Sequence, residues 1–171
     1  MDQRPVLVLI TAENCGACKA LYHIWSDVES GLVATGLVRI VRIPLPNMGA
    51  EIDSSKFPSD LSRYRRWFPM LLLVAGPKWN EASQHTSQAI PLQAKVFNAI
   101  LNESGEVVYK PSGAYSLNKE GIINWVKAEA GDLNVTSLKP LVPLTPKTAA
   151  ATVLLPTAKQ VCTMNINSRR Y

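Results

Sequence analysis

Two cysteines separated by two residues, Cys15-Gly16-Ala17-Cys18, are the most reactive pattern in this chain of 171 residues. On the first turn of a helix such a pair lies close enough for its sulfurs to bond. The first cysteine then sits where unpaired backbone N–H groups and the helix macrodipole favour an anion. Thiols so placed fall below the free value of about 8.5, into a range of about 3.5–7.5. Cys15 is therefore the expected attacking thiolate. Cys18 is the expected resolving thiol, which attacks the mixed disulfide, releases the partner and leaves Cys15–Cys18 oxidised. Lys19 adds positive field nearby. Two other readings of the pair stay open, as structural cysteines and as metal ligands. Zinc needs four ligands, and only Cys162, His23 and His85 remain, at no recognisable spacing. Haem attachment would want a histidine where Lys19 stands. Neither a metal nor a cofactor is expected.

The elements that must hold this pair follow from hydrophobic pattern. Arg4-Pro5 leads into Val6 to Ile10, a continuous apolar run that suits a strand buried on both faces. Thr11 to Asn14 read as a polar turn, with Asn14 as the helix N-cap. Leu21, Trp25, Val28 and Leu32 recur three to four apart on one helical face, and Gly31 is the expected stop. Leu37 to Ile43 reads as a second strand, ended by Pro44 and Pro46. A short arginine-rich helix from Ser59 to Trp67 is broken by Phe68-Pro69, and Met70 to Val74 is a third strand. Arg63, Arg65 and Arg66 form either a solvated face or a surface for an acidic partner. Residues 76–94 show no clear period and read as a long connection or insertion. Val96 to Leu101 and Val107 to Tyr109 flank Asn102-Glu103-Ser104-Gly105, a hairpin signature. Ser116 is the expected cap of a last helix, where Leu117, Gly121, Ile122, Trp125 and Val126 face inward and Gly131 stops the helix. The order of elements implies three parallel strands joined by crossovers, with a hairpin adding antiparallel strands at the edge.

Three cysteines are too few for a disulfide scaffold. The net charge of +5 is carried by Lys139, Lys147, Lys159, Arg169 and Arg170, in a tail without acids, so the remainder is neutral. A neutral domain argues against nucleic acid as a partner, while a cationic tail over 139–171 suits an acidic protein partner. Pro140, Pro143 and Pro146 recur every third residue, the polyproline II repeat, as a spacer or a docking ligand. Cys162 is read as a spectator thiol or as one half of a mixed disulfide. The run Val6 to Ile10 is too short for a signal-peptide core or a membrane span. A cytoplasmic protein is expected.

Three blocks then carry a resemblance. Thr11-Ala12-Glu13-Asn14-Cys15-Gly16-Ala17-Cys18-Lys19, Phe68-Pro69-Met70-Leu71-Leu72-Leu73-Val74 and Gly113-Ala114-Tyr115-Ser116-Leu117-Asn118-Lys119-Glu120-Gly121 resemble, in the same order, segments of the thioredoxin family. The resemblance covers roughly residues 5–130. It implies a thioredoxin-like α/β fold, a central mixed sheet flanked by helices. It also implies a cis Phe68–Pro69 bond beside the dithiol and a Phe68 backbone that hydrogen-bonds an extended substrate, with Trp67 lining the groove. The family's buried acid falls where this chain has Leu9. Asn14 replaces the family's tryptophan and Ala17 its proline, and the extra N-terminal strand and helix are missing.

The expected organisation is a thioredoxin-like domain over 1–132, with an insertion at about 76–94, and a basic proline-rich tail over 133–171. The expected function is thiol–disulfide exchange with protein thiols and disulfides, with Cys15 and Cys18 catalytic and Trp67, Phe68 and Pro69 on the substrate. The alternative is a thioredoxin-like structural or adaptor subunit of a large assembly, such as a viral minor capsid protein, docked through its tail and incorporated in the particle.

Overall fold

The computed structural model describes residues 1–110 and 113–135. The first apolar run forms β1 (Val6–Ala12), with every residue buried. Its side chains alternate between two cores: Val6, Val8, Ile10 and Ala12 enter one layer, Leu7 and Leu9 the other. Because both faces are covered, no polar alternation marks the strand.

The first helix, α1 (Gly16–Thr35), buries Cys18, Leu21, Trp25, Val28 and Leu32, the stripe its spacing predicts. Both of its ends differ from expectation. Cys15, not Asn14, is the N-cap, because the Asn14 amide oxygen is taken by the Met48 N–H at 3.0 Å. Gly31 does not stop the helix. It lies against α3 (Lys119–Val135), where a Cβ would come within 2.7 Å of Ile123. Termination falls to Gly36, whose φ of 64° is the left-handed conformation that favours glycine at a helix end.

The second strand, β2 (Arg39–Leu45), runs parallel to β1, with Val6 opposite Arg39 and Ala12 opposite Leu45. Pro44 lies inside β2 rather than ending it. The strand is at the sheet edge, where a missing N–H need not break a ladder.

The third strand corrects the expected topology. β3 (Met70–Val74) is antiparallel to β1, with Ile10 opposite Met70 and Val6 opposite Val74. The connection from β2 holds only a six-residue 3-10 helix, Ser59–Tyr64. It stands where the sequence suggests a crossover helix, and the antiparallel register of β3 on β1 shows which end the chain returns to. The chain therefore re-enters at the end it left from.

Residues 76–94 are not without structure, since they open with α2 (Gly76–Gln84). Its buried residues are Gly76, Trp79 and Ala82, too few to show a helical period. β4 (Ala94–Val96) then pairs antiparallel with β3, completing the order β2-β1-β3-β4. The expected first hairpin strand is broken after Val96. Asn98 adopts a φ of 54°, which asparagine tolerates better than most residues, and its amide group bonds the Tyr115 backbone in both directions at 2.7 Å. Beyond it β5 (Ala99–Leu101) and β6 (Val107–Tyr109) form a separate two-stranded sheet rather than an edge of the main one.

α3 is capped by Asn118, whose side-chain oxygen accepts the Gly121 N–H at 2.8 Å, and not by Ser116. Gly121, Ile122, Trp125 and Val126 are buried as expected, but Leu117 is exposed. The helix passes Gly131. The proline ladder, Cys162 and the basic terminus lie outside the described residues.

Candidate functional site

β1 delivers the chain to a tight turn. The Cys15 N–H donates to the Ala12 carbonyl at 3.2 Å, and the Glu13 N–H donates to Leu45 of β2 at 3.1 Å. From this anchored turn α1 begins. Cys15 is extended, at φ −101° and ψ 112°, and its Sγ accepts the Cys18 N–H at 3.1 Å. A sulfur therefore fills the capping position that an oxygen side chain usually takes. The two sulfurs are bonded, across a Cα–Cα separation of 5.2 Å, within the usual span for a disulfide. Cys15 is 4 % exposed and Cys18 0 %, so Cys15 is the outer sulfur. Gly16 and Ala17 between them are exposed, and no atom lies within 4 Å of where a Gly16 Cβ would stand.

The Phe68–Pro69 bond is cis, as the resemblance implies. Since β3 is antiparallel to β1, the start of β3 and the end of β1 share one end of the sheet. Pro69 and the turn before Cys15 both belong to that end. Cys15, Cys18 and Met70 occupy the same buried layer, with Trp67 and Phe68 packed against it. Pro69 is buried, while Trp67 and Phe68 keep partial exposure. The five expected site residues thus gather at one end of the sheet. Their convergence depends on the antiparallel direction of β3, where the order of elements implies a parallel strand.

Leu9 is buried on the opposite face, among the side chains of α1 and α3. Thr11 is a buried polar residue, and its hydroxyl meets the Tyr22 hydroxyl at 2.6 Å. The sequence pattern marks neither residue as part of a site. A polar residue two places after Leu9 on a strand, followed eleven places later by a tyrosine, is too weak a pattern to notice. Tyr109 is a neighbour of Trp67 that the sequence does not mark. Their rings meet edge-on at 6.4 Å, while Arg66 and Glu106 pair at 3.8 Å.

The other arginines of this segment are engaged within the chain. Arg63 pairs with Asp60 at 3.2 Å, and Arg65 donates to the Ala50 carbonyl. His23 and His85 are exposed. Among the described residues no three His, Cys, Asp or Glu side chains group as metal ligands. No described helix is long and apolar enough to cross a membrane. Comparison with known proteins finds no matching family model and no matching curated protein.

Proposed function

We propose that residues 1–132 are a thioredoxin-like domain and that the chain exchanges protein disulfides through Cys15 and Cys18. The observation that carries this reading is the bonded pair at the N-terminus of α1, its outer sulfur accepting a helix N–H at 3.1 Å. The sheet order β2-β1-β3-β4, with β1 and β2 parallel and the rest antiparallel, supports it. So does the gathering of Trp67, Phe68 and Pro69 at the dithiol end.

In the reducing direction the Cys15 thiolate attacks one sulfur of a client disulfide. That S–S bond breaks, and the departing client thiolate takes a proton from water. Cys18 loses its proton and attacks Cys15 Sγ, which expels the second client thiolate. The client gains two electrons and the protein's dithiol gives them up. The same steps in reverse oxidise a client dithiol. A reducing compartment such as the cytoplasm suits the first direction. Reduced protein mixed with a disulfide-bonded protein and a thiol reductant is expected to accelerate client reduction, and Cys15→Ser to fall to the uncatalysed rate. Equal rates for both proteins would remove the activity.

A second reading, an adaptor subunit of a large assembly docked through 139–171, is favoured by one observation. Leu9, where the resemblance expects a buried acid, is hydrocarbon in the layer opposite the one that holds Cys18, so that position supplies no ionisable group. A chain truncated after residue 138 would lose the assembly on this reading, and retention would count against it.

A further inference from the structure

We propose that Thr11 and Tyr22 are positioning residues for the dithiol, forming a hydroxyl clasp that sets how readily the Cys15–Cys18 bond is reduced. This deepens the redox reading and rests on it. Thr11 is on β1 just before the turn, and Tyr22 is on α1 one turn beyond Cys18. Their hydroxyls meet at 2.6 Å. That contact closes a ring of chain containing both cysteines, joining the strand that delivers Cys15 to the helical turn that carries Cys18.

The placement is specific. Thr11 is 3 % exposed, so without Tyr22 its hydroxyl would be a buried group lacking a partner. Tyr22 is 44 % exposed, so its ring contributes little core packing, and its fixed contact in the fold is this hydroxyl. At i and i+4, Cys18 and Tyr22 share one helix face, and a helical side chain leans back over the preceding turn. The clasp is thus anchored on α1 one turn from Cys18. An intact clasp holds the two cysteine backbones at bonding separation after the sulfurs part, which raises their effective concentration and favours the disulfide.

The test equilibrates the full-length protein with glutathione. One oxidised protein and two glutathione thiols give one dithiol protein and one glutathione disulfide. Thr11→Val, Tyr22→Phe and the double variant are compared with the parent. Each single variant is expected to shift the equilibrium about tenfold toward the dithiol, equivalent to about 30 mV for this two-electron couple. The double variant is expected to move no further, because both changes break one contact. Thr35→Val, which removes a 2.6 Å bond to Leu32 at the other end of α1, should lower stability and leave the equilibrium in place. A purely structural clasp would lower the stability of oxidised and reduced protein equally, giving an unchanged equilibrium in all three clasp variants. That result, or additive shifts in the double variant, would overturn the proposal. No client is used, so failed client turnover with a shifted equilibrium would refute the exchange activity and leave the clasp standing.

Discussion

At the residue scale the two sulfurs are unequal. Cys15 keeps a narrow opening to solvent and Cys18 has none, so a client sulfur meets Cys15 first. Cys18→Ser is expected to accumulate a covalent client–Cys15 disulfide, visible on a non-reducing gel, whereas Cys15→Ser should trap nothing. Trapping through Cys18 would reverse the assigned roles. Two ionisable groups outside the site tie stability to pH in opposite directions. The Asp53 carboxylate accepts from the Ser55 hydroxyl, pairs with Lys56 and accepts the Ser55 N–H, which together lower its pKa to about 2. A depressed carboxylate contributes stability that is present above its ordinary value and lost as pH falls toward 2. Ser55→Ala should raise the carboxyl midpoint measured by NMR titration. Tyr64 runs the other way. Burial, the largest influence on it, raises its pKa, and its hydroxyl donates to the Leu92 carbonyl at 2.8 Å. Stability from the neutral phenol is therefore complete below about pH 10 and lost as pH rises further. Tyr64→Phe should cost about 1 kcal/mol at neutral pH and flatten the alkaline limb of the denaturation profile. The cysteines and the proline were legible at this scale because their chemistry is local. The exchange of roles between Asn14 and Cys15 was not, because it depends on Met48, a residue more than thirty positions away that the fold alone brings near.

At the element scale, legibility followed the length of the apolar signal. β1, β3 and the buried stripe of α1 were readable because long runs and repeated 3–4 spacings have few competing interpretations. α2 was not, since Trp79 and Ala82 are too few to make a period. The direction of β3 is not legible, because the arginine-rich segment has the pattern of a crossover helix while the fold makes Ser59–Tyr64 a 3-10 turn and pairs β3 antiparallel with β1. Gly76, by contrast, carries a sharp constraint. A Cβ there would overlap the backbone carbonyls of Gln3 and Arg4 at the entry to β1. Backbone cannot swing aside as a flexible side chain can. Gly76→Ala should therefore destabilise by about 1–3 kcal/mol, read by chemical denaturation. A loss of a few tenths would show that the start of α2 is not seated against β1.

At the scale of the whole molecule, stability comes from the two apolar layers on either face of the sheet and little from the disulfide. The bond joins residues only three apart in sequence, and closing so small a loop contributes about 2 kcal/mol in the chain-entropy picture. The reduced protein should stay folded, with a midpoint lower by about 4–8 °C. Unfolding on reduction would make the bond a structural staple and weaken the redox reading. Charge is also unevenly distributed, because the five cations of 139–171 account for the net +5. Among the described residues opposite charges pair at the surface, as in Arg4 with Asp2 at 2.6 Å and Lys78 with Glu81 at 2.9 Å.

The most direct test of the redox dithiol is the alkylation rate of each cysteine in the reduced protein, resolved by mass spectrometry across pH. The expected result is that Cys15 reacts as a thiolate at neutral pH, faster than a free small-molecule thiol, while Cys18 stays protected in the folded state. Cys15 reacting no faster than that free thiol at pH 7, or Cys18 being modified first, would contradict the assignment.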